Sequence, residues 1–295
     1  MNRVPQQLLC ASVLFTVALD AVAEGPDSKY GGAYSARFSY SAPADISRGT
    51  ANLGEMDAVE FSLRYSARFQ VGESYSYSIG LDYERWGFGL APGLQVPNTL
   101  QSVSLVFGNR WRFADKWAVA VSARPGLYSD FDEITGDDFS VPLSVVFSYD
   151  LNPKLQLMFG ANFQSGRDIP VLPAIGAVWR PDDKWTVSLM LPRPSVTYAF
   201  DDKLSVFAGG ELTGGAYNVG DNFGTRVGDP SLNGERLTYR EIRAGGGVRY
   251  DFSKALRLEV EGGWVIDRRF VYDDRNLQFN GDGAPYVRIG LSGSY

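Results

Sequence analysis

The sequence predicts an all-β chain: a transmembrane, antiparallel, up-and-down β-barrel of 12–14 strands, with fourteen fitting best. Short periplasmic turns and longer external loops would connect them. Three observations carry this expectation. Apolar and polar residues alternate with period two along most of the chain, the pattern of strands with one apolar face. Aromatic residues gather beside the tight turns. The face opposite the apolar one is rich in charge and glycine.

Residues 1–23 read as a separate segment. Arg3 precedes an apolar run from Leu8 to Leu19, and Ala21-Val22-Ala23 offers a small-residue cleavage site. This is the layout of a secretory signal peptide. Residues 24–295 then form one barrel domain, which their length permits. About six residues would separate the cleavage site from the first strand, so no plug domain is expected ahead of it. Cys10, the only cysteine, lies in the leading segment, so the exported chain would carry no disulfide. No other stretch reaches the 18 apolar residues of a transmembrane helix. The net charge of −6, with both signs mixed, leaves no basic stripe for nucleic acid.

The alternation begins at 30–41 and is clearest at 59–69. There Val59, Phe61, Leu63, Tyr65, Ala67 and Phe69 oppose Glu60, Ser62, Arg64, Ser66 and Arg68. Runs follow at 75–84, 103–113, 117–124, 141–149, 155–163, 171–179, 242–252, 256–266 and 285–295, with shorter ones at 185–191, 196–200 and 204–212. Tight connections near 71–74, 114–116, 151–154, 181–184, 201–203 and 253–255 interleave with longer ones at 42–56, 89–99, 129–140, 213–236 and 267–283. The links at 165–170 and 192–194 are shorter members of the second class. Both chain ends fall on the tight-turn side.

Six tight turns are flanked by apolar-face pairs spaced six apart: Phe69/Tyr75, Trp111/Trp117, Tyr149/Leu155, Trp179/Trp185, Tyr198/Leu204 and Tyr250/Leu256. Even spacing keeps both members on one sheet face. The aromatics among them are expected to form a girdle at the periplasmic membrane boundary, where amphipathic rings suit the headgroups. A soluble core gives no reason for Trp at the rim. The long runs also match strands of about 9–11 residues that cross a bilayer. The apolar face is therefore expected to meet outer-membrane lipid. Only 12 residues separate Trp185 from Tyr198, too few for two full crossings. That hairpin either lowers the wall or leaves it, which would reduce fourteen strands to 12.

The polar face supplies candidate lumen and selectivity residues: Arg64, Arg68, Asp82, Glu84, Arg110, Arg112, Arg243, Arg249, Arg257, Glu259 and Glu261. If the six flanking pairs stand opposite one another, Ser62 faces Asp82 with Arg64 diagonal to it. Arg249 then faces Arg257 and lies diagonal to Glu259. Arg68, Arg112, Arg180, Arg249 and Arg257 concentrate near the turns, which suggests a mild anion preference there.

The chain has no histidine, which excludes Ser–His nucleophiles and His-ligated metals. No catalytic, metal or cofactor residues are assigned. The acidic loop at 129–140 fails the EF-hand template, because Thr135 stands where Gly is required. It reads as a solvated loop, as does 267–283 with Arg268, Arg269 and Arg275. The Gly-rich stretch at 214–224 follows no βαβ unit, so it is no nucleotide loop.

The chain ends in YVRIGLSGSY, a strand closing on Tyr295. A terminal aromatic of this kind resembles the assembly signal of outer-membrane barrels, although Phe is the more usual last residue. The block PVLPAIGAVWRPDDKWTVSLMLPRPSVTYAFDDKLSVFAGGEL at 170–212 resembles an uncharacterised, porin-like family of such barrels, in its Pro, Gly and Trp spacing. The resemblance implies topology and location, and barrel-assembly machinery as a partner, but no chemistry. The composite expectation is a narrow passive channel for small solutes. A non-conducting structural or adhesive barrel is the alternative, and a carboxylate-based membrane enzyme a weaker one.

Overall fold

A computed structural model describes residues 30–91, 93–165 and 170–295, so the expected signal peptide lies outside the described residues. Among the described residues seventeen strands form one sheet. β1 (Tyr30–Arg48), β2 (Ala51–Val71), β3 (Tyr75–Leu90) and β4 (Thr99–Ala114) are long and consecutive. β5 (Trp117–Ala123) and β6 (Gly126–Ser129) share one stave, interrupted at Pro125, which has no N–H to give a ladder. β7 (Phe139–Ser140) and β8 (Leu143–Asn152) share the next, interrupted at Pro142. Then come β9 (Leu155–Phe163), β10 (Val171–Trp179), β11 (Trp185–Ser188), β12 (Ser195–Ala199), β13 (Leu204–Asn218), β14 (Arg236–Ser253) and β15 (Leu256–Tyr272). β16 (Leu277–Gly281) and β17 (Ala284–Ser294) share the last stave. The result is a closed antiparallel barrel of fourteen staves, in which β1 pairs with β2 on one edge and with β16 and β17 on the other.

The apolar face points outward. Phe38, Leu81 and Ile289 are 48%, 49% and 52% exposed, while Ser39, Asp82 and Arg288 beside them are buried. The hairpin of β11 and β12 stays in the wall, since β10 pairs with β11 and β12 with β13. It does lower that wall: these strands have 4 and 5 residues, against 19 and 21 for β1 and β2.

Above the low side, the far end of β13 leans across and meets β6. Asn218 pairs with Ser129 in parallel, and the Asp130 N–H donates to the Asn218 carbonyl at 3.1 Å. Gln164, just past β9, both accepts from the Ala216 N–H (3.3 Å) and donates to its carbonyl (3.2 Å). Nine staves therefore encircle the loop end, while fourteen encircle the turn end.

Two expected loops are wall. Residues 42–56 are mostly strand, with a tight connection at Gly49 (φ +60°). A bulge between Ser41 and Ala44, beside Pro43, breaks the alternation and hides the continuation. Residues 267–283 extend β15 and build β16. The register shift at Ile242/Arg243 leaves Ile266 unpaired and reverses the parity beyond it, which turns Arg268, Phe270 and Tyr272 inward.

The turn register also differs from expectation. Phe69 pairs with Tyr77, Trp111 with Val119, Tyr149 with Leu157, Trp179 with Val187, Tyr198 with Val206 and Tyr250 with Leu258. The same rule holds at all six turns: the first member of each flanking pair stands opposite the residue two beyond the second member. The girdle aromatics instead stand opposite those of the next hairpin: Tyr75 with Trp111, Trp117 with Tyr149, and Trp185 with Tyr198. Ring centroids lie 4.7 Å apart for Trp117–Tyr149 and 4.8 Å for Trp185–Tyr198, so the belt binds neighbouring hairpins together.

Gly263 on β15 faces Gly245 on β14, and a Cβ there would overlap the Ala244 carbonyl oxygen and the Gly245 Cα. Gly263→Val should cost about 1–3 kcal/mol through overpacking. Gly87→Ala, with open space at its Cβ, should cost little. Urea unfolding of the refolded barrel, followed by Trp fluorescence, checks both.

Candidate functional site: the charged lumen

The inner wall changes character along its length. At the loop end it is an apolar core. Trp86 and Phe88 from β3 meet Tyr239 from β14 at centroid distances of 4.8 and 5.1 Å, and Phe88 meets Phe270 from β15 at 5.0 Å. β3 and β14 are four staves apart through the seam and five the other way round, so these contacts cross the lumen. Leu94 and Val96 from the link after β3, with Val219, Phe223 and Leu232 from the link after β13, complete the core.

Below it lies a layer of ion pairs. Glu241 accepts from Arg243 Nε (2.5 Å), from Arg268 Nε (3.2 Å) and from the Tyr239 hydroxyl. Arg243 Nη1 reaches across to Glu60 on β2 (2.7 Å), and its guanidinium lies over the Trp86 ring at 5.1 Å. Arg268 donates to Ser41 on β1 at 2.5 Å. Arg288 donates to Glu211 (2.9 Å) and Glu261 (3.3 Å), and Arg193 pairs with Glu211.

Towards the turn end the pairs become wetter. Arg64 stands opposite Asp82 and is paired with it, and Arg124 is 3.8 Å from the same carboxylate. Arg249 faces Glu259 (2.5 Å) and lies 3.9 Å over the Phe207 ring. Arg257 faces Asp251 (2.6 Å). Side-chain exposure rises from 0% at Glu241 and Arg268 to 18% at Arg257 and 47% at Arg112. The lumen is thus dry at the loop end and progressively solvated towards the turns.

All eleven lumen candidates fall on the inner face, but the expected partners change with the register. Arg64 is directly opposite Asp82, not diagonal to it; Arg249 is opposite Glu259, not Arg257. Glu84 accepts from Trp86 Nε1 at 3.0 Å, and Glu261 from Tyr286 and Arg288. Arg110 and Arg112 border a recess of about 220 Å³ inside the turn-end mouth, with Gln70, Ser74 and Ser76. Arg68 lies one ladder pair inward, opposite Ser78. Most turn-side arginines have an acidic neighbour, which weakens the anion preference expected there.

Sequence reasoning missed the centre of the network. Glu60 stands on the polar face of the run at 59–69, and Glu211 and Arg288 on the inner parity of the runs at 204–212 and 285–295, without being singled out; Glu241 lies one residue before the run at 242–252, where extending the alternation finds it. Arg268 was hidden by the bulge at Ile266. The acidic loop at 129–140 does structural work. Asp130 accepts from the Gly220 N–H at 3.0 Å, Asp138 from the Thr135 N–H at 2.8 Å, and Asp132 pairs with Arg226. Burial raises the Asp130 carboxyl above its ordinary range, and its backbone donors oppose that rise. Among the described residues no group of His, Cys, Asp and Glu is arranged to hold a metal ion.

The model of one family, a domain of unknown function (DUF6268), matches residues 26–292. The chain belongs to this family. No curated protein matches the sequence. The fold of this DUF6268 member is shared with solved outer-membrane barrels at low identity. The TodX monoaromatic hydrocarbon channel, as its deltaS2 mutant, aligns at TM-score 0.50 with 9% identity over 90% of each chain. The COG4313 outer membrane channel from Pseudomonas putida F1 aligns at 0.46 with 11% identity, over 92% of this chain and 100% of that one. The NanC porin aligns at 0.42 with 11% identity, over 88% and 98%.

Removing one partner of a buried ion pair leaves the other charge uncompensated. Glu241→Ala should therefore destabilise the barrel by about 3–5 kcal/mol. Arg112→Ala, at an exposed pair with Asp150, should change stability by less than about 1 kcal/mol. Urea unfolding of both variants beside the wild type provides the comparison.

Proposed function

We propose that this protein is a narrow, porin-like channel of the Gram-negative outer membrane, exported by its N-terminal signal peptide, for passive passage of small solutes. It is a transporter and not an enzyme. The single observation that supports this reading best is the solvation gradient of the inner wall. A barrel built only as a wall would be filled by side chains throughout. Here the paired charges from Arg64 and Asp82 down to Arg112 keep contact with water, as the lining of a conduit does.

The turn end faces the periplasm in this reading and the tall wall faces outward, as barrels with short periplasmic turns stand. The girdle of Trp111, Trp117, Trp179 and Trp185 lies at the inner headgroup level. Assembly machinery engages the last strand, just past which Tyr295 stacks on Tyr65 with ring centroids 6.2 Å apart. The ion-pair layer acts as the selectivity element, and the apolar core above it closes the external end in the state described.

A second reading, a non-conducting barrel, is favoured by that core, since Trp86, Phe88, Tyr239 and Phe270 bridge the lumen. Planar-bilayer recording separates the two. Wild-type protein should show rare, small openings, and Phe88→Ala combined with Tyr239→Ala should raise open probability and conductance. A double variant that keeps the heat-modifiable gel mobility of a folded barrel, yet never conducts, would contradict the channel reading.

A further inference from the structure

Among the turn-side arginines, Arg110 and Arg112 have no acidic residue directly across a strand pair. Gln70 on β2, Ser76 on β3 and Arg110 on β4 form one cross-strand row on the inner face. On its other side Arg110 stands opposite Ala120, and Arg112 opposite Ala118. These alanines carry no charge, and a methyl group is too short to cover a guanidinium. The Arg112 N–H donates to the Ser74 carbonyl at 2.7 Å, which ties β4 to the β2–β3 turn. The space left beside that turn is the recess of about 220 Å³, bordered by Gln70, Glu73, Ser74, Ser76, Arg110 and Arg112.

Donors reach this space from three strands. The Arg112 side chain is 47% exposed. Its Nη1 donates to the Asp115 carbonyl at 3.2 Å, with the Asp150 carboxylate 3.8 Å away, which anchors the head and leaves Nε and Nη2 without a described partner. Arg110 is half-buried. Ser74 and Ser76 bring hydroxyls. The Gln70 amide donates to the Gly72 carbonyl at 2.9 Å and has a second N–H to offer. Two guanidiniums thus border the recess with one carboxylate, that of Glu73 on the exposed turn.

We propose that this recess binds the phosphoryl group of small phosphorylated solutes at the turn-end mouth. Its reading as a solute site rests on the lumen being the solute path. Arg110 and Arg112 stand two residues apart on one face, with the hydroxyls and the amide to their side, so the donors converge from several directions. A phosphoryl group answers them with three oxygens on a tetrahedral centre. A carboxylate is planar and has two, which a single guanidinium already matches. The recess opens to the solvated mouth, so the polar body of the solute stays in water. Glu73 repels the anion from the rim and limits how tightly it is held, as suits a site that must release its solute.

Isothermal titration of the refolded barrel in detergent tests this with inorganic phosphate, glycerol 3-phosphate, acetate and glycerol. Both phosphates should bind saturably, acetate at least about tenfold more weakly, and glycerol not at all. Arg110→Gln should weaken phosphate at least about tenfold, the loss expected for a charged hydrogen-bond partner. Glu73→Gln, at an exposed position, should tighten it roughly two- to fivefold by removing a like charge. Lys203→Gln removes a cation from another turn at the same end and should change nothing. All three variants should keep the gel mobility of the folded barrel, and Glu73→Gln carries the test if Arg110→Gln does not fold. Acetate binding as tightly as phosphate, Arg110→Gln binding like wild type, Glu73→Gln failing to tighten phosphate, or Lys203→Gln weakening it as much as Arg110→Gln, would overturn the proposal. The titration needs no current, so the two readings fail separately. A barrel that binds phosphate but never conducts contradicts only the channel; one that conducts but ignores phosphate contradicts only this site.

Discussion

A strand in lipid must find a partner for every backbone N–H and C=O, because the hydrocarbon supplies none. That demand closes β1 against β17 and sets fourteen staves in one ring. It also explains the least regular part of the fold. The low wall at β11 and β12 leaves the upper edges of β6 and β13 without neighbours. The seam at Ser129 and Asn218, and the Gln164 side chain on Ala216, take up those free groups. Closing the seam brings β3 within reach of β14. Trp86, Phe88, Tyr239 and Phe270 can then meet across the lumen and exclude water.

The charged layer follows from the same narrowing. Under the apolar core the inner-face charges are dry, and a dry charge requires a partner. Glu241 meets two arginines and a tyrosine hydroxyl there, and Arg243 bridges to Glu60 on a distant stave. Lower down, water shares the work, and pairs such as Arg112 with Asp150 loosen to 3.8 Å.

Much of the architecture was legible in the sequence because period two survives wherever a strand is regular. The stave number and the lowered hairpin came from that signal, while the outward direction of the apolar face came from the length of the runs and from the aromatics beside the tight turns. Bulges defeated it. One at Pro43 and one at Ile266 reverse parity, so 42–56 and 267–283 read as loops and Arg268 went unseen at the centre of the network. Exact register was also beyond reach. Six-residue spacing keeps two residues on one face but is satisfied equally by a slip of two, so Arg64 could be placed on the face of Asp82 and not directly across from it. The seam left no mark at all, since it joins residues 89 apart in sequence through backbone groups that every residue type carries.

The seam is the joint on which the dry upper lumen and the buried ion pairs depend, and cysteine cross-linking tests it most directly. Cys10 is the chain's only cysteine, so an introduced pair is easily read against a Cys10→Ser background. Register partners on adjacent strands lie at a Cα separation that a disulfide can bridge. Ser129→Cys with Asn218→Cys should form an intramolecular disulfide in the folded barrel under mild oxidation, as fully as Leu204→Cys with Tyr250→Cys in the wall. If the wall pair closes and the seam pair stays reduced, the loop end is not narrowed as described and the account of the lumen fails.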